Sequence, residues 1–359
     1  MTLRILETAF PVWLRVVSTP PLLLIALSLL VLPGANRVVE GVPFADPSVT
    51  GQSALKARIL FTSNRLGEFE PCQCKDLPLG GIAQSAGAVQ TMREESEAPV
   101  FFFDAGDRLF RFDIAAISQE EAARRLKAIL MVDAGNVASL DAAGIGGMEL
   151  GAGLPYLRKL DQRARYPLIS ANLTNHDGKT LFPPMTTVQR GGLTVGVTSV
   201  LPSGLWADDY ETGDPFKAAK AQTKAMRKAG VDLVVVLSNL GLDADKKLAR
   251  VTGADLILGS RSREILPEGS RVGRSVLSHA GSRGRYLGDV RWFAQGTGKG
   301  PHLQATTTPV LASGHSHVGV AELVERTLTR LGDPRLGVEP LYPSDPRHPG
   351  YQTPTQDVQ

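Results

Sequence analysis

The sequence predicts an α/β domain in which buried strands alternate with helices. Apolar runs such as VFFF at 100–103 and VDLVVVL at 231–237 are typical of strands that are buried on both faces. Segments with helical spacing of small or charged residues separate these runs, as expected for helices layered on a sheet. The composition, 43% hydrophobic and 21% charged, is that of an ordinary globular protein.

The strand predictions follow short apolar runs along the chain. The second of these runs ends on Asp104, so the strand delivers a carboxylate at its C-terminal end. The predicted strands are 57–62, 100–104, 168–171, 193–200, 231–237, 254–258, 275–280 and 286–292, the last two as a closing pair.

The helix predictions depend on periodicity and on end signals. Asp214 and Pro215 are a typical N-cap and first helical residue, and Gly230 marks the far end of that helix. The predicted helices are 80–93, 119–132, 215–229, 244–251 and 318–331.

Residues 1–35 have the pattern of a targeting segment. Arg4 and Arg15 precede an apolar run at 21–32, which small residues follow at Gly34 and Ala35. Three interpretations stay open: a cleaved signal peptide, a retained membrane anchor through residues 12–33, or a terminal core helix. The first two predict a periplasmic or other extracytoplasmic domain, anchored in the inner membrane in the second case.

The rest of the chain divides into a linker at 36–56, the α/β domain at 57–296 and a C-terminal extension at 297–359. The extension carries one helix, 318–331, and a proline-rich tail. The net charge is only +3 and the basic residues are spread along the chain, so we expect no nucleic-acid partner.

The two cysteines of the chain, Cys72 and Cys74, form a C-x-C motif in a loop-like segment. Their spacing leaves three roles open: a disulfide with each other, which closes a strained ring, a soft-metal site, or reactive thiols. This pair is therefore a candidate thiol or soft-metal site.

Seven short motifs occur in a recognisable order. They are ILFTSNRLGEFEP at 59–71, LGGIA at 79–83, FDAGD at 103–107, GGME at 146–149, ISAN at 169–172, LSNLG at 237–241 and LGSRSR at 258–263. Over about residues 58–293 this order resembles the calcineurin-like metallophosphoesterases, especially the bacterial 5′-nucleotidase branch that includes UshA. The resemblance implies a four-layer α/β/β/α sandwich with two mixed sheets between helices.

Members of this family use two divalent metal ions to clamp a phosphate and activate a water molecule. Among the positions that correspond to the family's metal ligands, only that of the bridging carboxylate carries the expected type of residue in this sequence, Asp107. The other ligand positions carry residues of the wrong chemistry, namely Asn64, Leu66, Gly147, Met148, Asn239, Arg261 and Arg263. Arginine has no lone pair for a metal and adds positive charge.

We therefore predict an exported protein with this fold and a degenerate two-metal site, acting in binding or assembly rather than catalysis. One alternative is a thiol redox or soft-metal protein that uses Cys72 and Cys74, because some UshA-like proteins carry a similar E-P-C-x-C segment. Another is a phosphoester hydrolase with an atypical metal centre around Asp107. We expect no cofactor other than a soft metal at the cysteines, and either a protein partner or a small anionic ligand.

The cleft residues themselves allow several roles. Asp107 is either a structural carboxylate at a turn or a lone acid that anchors an arginine. Arg261 and Arg263 either pair with Asp107, bind a phosphate or carboxylate, or lie in a solvated loop. The later GHSH segment at 314–317 copies a family motif, but its position before a helix favours a surface helix start.

Overall fold

The computed structural model describes residues 54–111, 118–294 and 301–332. The predicted leader at 1–35, most of the linker and the tail after residue 332 lie outside this part of the chain. The described residues form two large mixed sheets covered by helices, which confirms the predicted α/β/β/α sandwich.

The first sheet has six strands. β1 lies at its centre, parallel to β2 and antiparallel to β14, so the sheet is mixed. From edge to edge the order is β15 (His302–Pro309), β14 (Tyr286–Phe293), β1 (Leu55–Thr62), β2 (Val100–Asp104), β3 (Ala142–Gly144) and β4 (Leu168–Ile169).

The second sheet also has six strands, of which the inner four are parallel and the two edges antiparallel. Its order is β12 (Ser270–Val272), β13 (Ser275–His279), β11 (Leu256–Gly259), β10 (Leu233–Ser238), β7 (Leu193–Val200) and β6 (Met185–Arg190). A small third sheet contains β5 (Leu173–Thr174), β9 (Tyr210–Thr212) and β8 (Trp206–Ala207).

Six α-helices and one short 3-10 helix complete the described fold. As predicted, the Asp214 carboxylate caps the fourth helix by accepting hydrogen bonds from the backbone N–H groups of Phe216 and Lys217. The helices are α1 (Ile82–Glu95), α2 (Ser118–Val137), α3 (Leu154–Arg163), α4 (Pro215–Lys228), α5 (Leu242–Thr252), α6 (Val318–Leu331) and the 3-10 helix Met148–Ala152. None of the helices in the described segments is both long and apolar enough to cross a bilayer.

The main core lies between the two sheets. Side chains such as Phe61 and Phe103 from the first sheet pack with Val197 and Leu237 from the second, and all four are fully buried. This explains the continuous apolar runs in the sequence, since these strands are covered on both faces. Helices α1, α2, α3 and α6 cover the first sheet, and α4 and α5 cover the second.

One prediction near the C-terminus needs correction. The strands expected at 275–280 and 286–292 do not pair with each other, because β13 joins the second sheet and β14 the first. Residues 302–309 form an edge strand of the first sheet, and α6 packs on α1 and α2. Residues 302–332, which belong to the predicted C-terminal extension at 297–359, thus contribute a strand and a helix that pack on the rest of the fold.

Candidate functional site

The candidate cleft lies where strands of both sheets reach their C-terminal ends, the usual place for a site in an α/β fold. Loops from the two sheets meet there through hydrogen bonds. The Asn64 side-chain amide donates to the Ser262 carbonyl at 3.0 Å, and the Ser260 hydroxyl donates to the Gly106 carbonyl at 2.8 Å. These contacts bring the loops that carry Asn64, Asp107, Asn239 and Arg261 into one region.

The backbone of these loops is unusual at the positions where the family places its metal ligands. Asn64, Leu66, Asp107 and Arg261 have φ values of 51°, 58°, 54° and 68°. Positive φ is uncommon for residues other than glycine and costs free energy, especially for a bulky side chain such as leucine. These four residues are therefore held in a conformation that the surrounding loops must stabilise.

Asp107 is buried and bonded within the protein. Its Oδ1 accepts the Met148 backbone N–H at 3.0 Å, and the Asn239 side chain also donates to it. Burial raises the pKa of Asp107, while these hydrogen bonds and the charge of Arg261 oppose the rise. Asp107 thus has the geometry of a carboxylate that holds a turn.

Glu149 is the most heavily bonded side chain of the cleft. Its two carboxylate oxygens accept backbone N–H groups from Gly146, Asp107, Arg108 and Leu109 at 2.6–3.1 Å. Burial, together with the nearby Asp107 charge, raises the pKa of Glu149 to about 7. This carboxylate fixes the loop after β2 against the loop after β3. Glu149 lies in the GGME motif at 146–149, from which no role for this residue is predicted.

Asn239 occupies a family histidine position and is fully buried. Its side-chain oxygen accepts the Gly147 N–H at 3.0 Å, and its amide donates to the Ser260 hydroxyl at 3.1 Å. Gly146 is required beside it, because a Cβ there would lie 2.4 Å from Asp107 Oδ1. The amide therefore ties three loops together, with its oxygen accepting one backbone N–H and its nitrogen donating within the protein.

The two arginines of the loop after β11 are exposed. The Arg261 guanidinium nitrogen Nη1 lies 3.6 Å from where a Cβ at Gly147 would stand, so it reaches over the cleft. Among the described residues, no ion pair within 4.0 Å joins either arginine to Asp107. The expected direct salt bridge is therefore wrong, and Arg261 acts on Asp107 only at longer range.

A buried network supports this loop from behind. His279 Nε2 lies 2.9 Å from Asp245 Oδ2, and His279 Nδ1 lies 3.2 Å from the Ser262 hydroxyl. Gly259 leaves room for the imidazole, since a Cβ there would lie 2.0 Å from Nε2. The role of His279 is not among the sequence-based predictions, because its partners are distant in sequence. An apolar strand that ends in histidine was the available signal.

Cys72 and Cys74 are bonded to each other in a disulfide. The Leu79 backbone N–H donates to the Cys72 sulfur at 3.3 Å. The pair lines a cavity of about 410 Å³ that Arg283 and Arg285 also line. In the disulfide form neither sulfur is a thiolate, so a soft metal would require prior reduction.

The described residues include no group of three or more histidine, cysteine, aspartate or glutamate side chains placed to hold a metal ion. The GHSH segment at 314–317 packs on α1 instead, where the His317 N–H donates to the Ala83 carbonyl at 3.0 Å and precedes α6. This agrees with the expected helix start.

The sequence is similar to curated nucleotidases, although no family model matches it. A probable 5′-nucleotidase of Treponema pallidum is 26% identical over 211 residues, which are 55% of this chain and 34% of that protein. A 2′,3′-cyclic-nucleotide 2′-phosphodiesterase/3′-nucleotidase of Yersinia enterocolitica is 27% identical over 252 residues, 61% of this chain and 38% of that protein. The chain thus spans about a third of the length of these curated relatives.

The fold comparison agrees with the sequence comparison. The calcineurin-like phosphoesterase YfkN of Bacillus subtilis superposes with a TM-score of 0.63 at 17% identity, covering 77% of this chain and 97% of that structure. This likeness shows the two-sheet fold of the calcineurin-like phosphoesterases. The chain is thus similar in sequence to 5′-nucleotidases and related nucleotidases, and it has the fold of the calcineurin-like phosphoesterases.

Proposed function

We propose that this chain is an exported protein of the metallophosphoesterase fold with a degenerate two-metal site. Its cleft binds an anionic group of a small ligand or protein partner rather than hydrolysing a phosphoester. The observation that carries the proposal is the bonding of the cleft itself. Asp107 and Asn239 direct side-chain oxygens at backbone N–H groups, and the Asn64 amide nitrogen donates to the Ser262 carbonyl. These residues do not supply the several carboxylates and imidazoles that two dications need.

Charge also disfavours a metal pair in this cleft. A two-metal site brings four positive charges together and needs several carboxylates or imidazoles around them. Here the exposed Arg261 adds a positive charge over the cleft, and the one carboxylate at a family ligand position is Asp107. A guanidinium in an open cleft suits a phosphate or carboxylate, which it can bind through two parallel hydrogen bonds.

Titration calorimetry with inorganic phosphate and with AMP tests the anion site. We expect binding that survives EDTA and weakens roughly tenfold in Arg261→Gln, the cost of one charge-assisted hydrogen bond. Arg271→Gln, on an exposed strand residue, is the matched control and is expected to bind like the wild type. Turnover of p-nitrophenyl phosphate that requires Mn²⁺ and is lost in Asp107→Asn would favour the hydrolase alternative.

Export is the second part of the proposal and rests on residues 1–35, which lie outside the described residues. The basic start and the apolar run at 21–32 support a signal peptide or an inner-membrane anchor. Fusing residues 1–35 to a reporter that is active only outside the cytoplasm is expected to give activity. A silent reporter, with the full-length protein in the soluble cytoplasmic fraction, would contradict export.

Thiol redox chemistry is a second candidate function, favoured by a specific observation. The Cys72–Cys74 disulfide lines a cavity rather than a packed core, and both residues are half-buried. Disulfides that stabilise a fold close long loops, whereas this one spans a single residue. We test whether the disulfide can be reduced and re-formed reversibly while the chain stays folded. Alkylation of free thiols and mass measurement report the redox state at each step.

A further inference from the structure

The cavity beside the disulfide is lined by charged side chains as well as by the two cysteines. It measures about 410 Å³, and its lining includes Cys72, Cys74, Glu68, Glu70, Arg283 and Arg285. That volume is within the range of small-molecule sites. Both sulfurs and both guanidiniums therefore border one space that a small molecule can enter.

The two sulfurs have different surroundings. The Leu79 N–H donates to the Cys72 sulfur at 3.3 Å, and the Cys72 N–H donates back to the Leu79 carbonyl at 2.8 Å. Among the described residues, the Cys74 sulfur accepts no hydrogen bond. A hydrogen-bond donor stabilises a thiolate and makes that sulfur the better leaving group. Attack is therefore expected at Cys74, with Cys72 leaving.

The charges around the cavity favour an anion. Within the described ranges, Arg283 and Arg285 form no ion pair, and the buried Nε of Arg285 has no hydrogen-bond partner. Glu68 is engaged in an ion pair with Arg111 at 3.1 Å, which leaves the exposed Glu70 as the remaining negative charge. Two cations against one free carboxylate give the cavity a net positive character.

A third arginine lies behind the cavity wall. Arg65 is fully buried, and its Nη1, which has no hydrogen-bond partner, lies 2.1 Å from where a Cβ at Gly284 would stand. Burial and the charge of Arg108 lower the pKa of Arg65 to about 10, so it remains a cation at neutral pH. Its charge adds to the positive potential around Gly284, between Arg283 and Arg285.

We propose that this cavity is a site for a small anionic thiol, one bearing a carboxylate or sulfonate, which the Cys72–Cys74 disulfide oxidises. The proposal rests on the redox candidate above and names its substrate class. Arg283 and Arg285 hold the anionic group by charge-assisted hydrogen bonds. This orients the substrate thiolate towards the Cys74 sulfur.

The reaction balances within the site. The first thiolate bonds to Cys74, the Cys72–Cys74 bond breaks, and Cys72 leaves as a thiolate facing the Leu79 N–H. A second substrate thiolate then attacks the sulfur of the first substrate and displaces Cys74. Two thiols lose two electrons and become one disulfide, and the protein disulfide gains them. The two thiol protons pass to solvent or to the two cysteine thiolates.

The experiment measures anaerobic single-turnover reduction of the oxidised full-length protein by three thiols of different charge. The probes are 2-mercaptoethanesulfonate, 2-mercaptoethanol and cysteamine, compared at equal thiolate concentration. We expect the sulfonate to react roughly tenfold faster than cysteamine at low salt, with the ratio shrinking as salt screens the charges. Rapid acid quench and tandem mass spectrometry should locate the mixed disulfide on Cys74.

The variants Arg283→Gln and Arg285→Gln are expected to abolish the preference for the sulfonate, while Arg271→Gln keeps it. Equal rates for the three thiols, a preference unchanged in both cavity variants, or an adduct on Cys72 would overturn the anionic-thiol site. In those cases, reversible reduction of the disulfide would still support the thiol redox function. A disulfide that no thiol reduces in the folded protein would overturn both.

Discussion

The cleft around Asp107 and the cavity beside Cys72 and Cys74 differ in how their polar groups are satisfied. A hydrogen bond links the two regions, from the Arg283 N–H to the Asn64 carbonyl at 2.8 Å. In the cleft, Asn64, Asp107 and Asn239 form hydrogen bonds to other groups of the protein. In the cavity, Arg285 Nε has no partner in the described structure and the disulfide lines open space. The buried part of the cleft is therefore fixed by the protein's own hydrogen bonds and leaves Arg261 as its exposed cation, whereas in the cavity Arg283 and Arg285 line the space beside the disulfide.

The buried pair behind the cleft gives the largest expected effect on stability. His279→Ala removes the partner of Asp245 and leaves that carboxylate buried and without its imidazole. We expect the free energy of unfolding to fall by about 3–5 kcal/mol, the usual cost of breaking a buried pair. Urea denaturation measures it, with the exposed His315→Ala as control. A loss no larger than that of the control would mean that the network does not support the cleft.

Glu149→Gln tests how firmly the cleft loops are held, and its effect depends on pH. The amide presents one acceptor oxygen to four N–H donors, so we expect a loss of about 1–3 kcal/mol at low pH. The pKa of Glu149 is raised from 4.5 to about 7 in the folded state. Glu149 therefore loses its proton at a lower pH in the unfolded chain than in the folded protein. The stability that Glu149 contributes to the wild type falls as the pH rises from 4.5 to about 7.

The difference between wild type and Glu149→Gln should accordingly shrink between pH 4.5 and pH 7. Denaturation curves at several pH values measure it, with the exposed Glu325→Gln as control. A difference that grows with pH would show that the carboxylate is stabilised rather than destabilised by its burial.

Substitution of Asp107 distinguishes a structural carboxylate from a metal ligand. Asp107→Ala loses the bond to the Met148 N–H and places alanine at positive φ, so we expect a loss of about 2 kcal/mol. Asp107→Asn keeps an acceptor and tolerates that φ, so its loss should stay below about 1 kcal/mol. Asp243→Ala, at an exposed position, is the control. Equal melting temperatures for Asp107→Ala and Asp243→Ala would contradict a structural role for Asp107.

Much of the scaffold was predictable from sequence because local signals and the fold agree. The buried parallel strands appear as uninterrupted apolar runs, and the Asp214-Pro215 start of α4 has a local cap. The polar edge strand β15 was missed, because only alternate residues such as Leu303 and Ala305 are buried. An edge strand with one covered face gives a weak signal.

The cleft was predicted in position but not in bonding. The motif order located Asn64, Asp107 and Asn239, since each follows a recognisable strand. The roles of Glu149 and His279 depend on partners from distant segments, which no local pattern specifies. The expected salt bridge of Asp107 failed for the same reason: the direction of the Arg261 side chain depends on a loop backbone at positive φ.

The smallest expected effect distinguishes the cavity from the cleft. Arg285→Gln removes a guanidinium whose Nε has no hydrogen-bond partner, so the stability should change by less than about 0.5 kcal/mol or increase slightly. Thermal denaturation of Arg285→Gln and Glu149→Gln, measured in parallel, compares their losses of stability. A loss of stability equal to that of Glu149→Gln would indicate that Arg285 has a structural role and is not reserved for a ligand.

Elemental analysis of the purified protein, after equilibration with Mn²⁺ and Zn²⁺ and removal of free metal, tests the central claim most directly. The cleft offers two carboxylates that accept backbone N–H groups, Asp107 and Glu149, together with two bonded amides and a guanidinium. We therefore predict well below one equivalent of metal per chain, unchanged in Asp107→Asn. Two equivalents of metal per chain in the wild type, lost in Asp107→Asn, would contradict the account and restore the two-metal hydrolase.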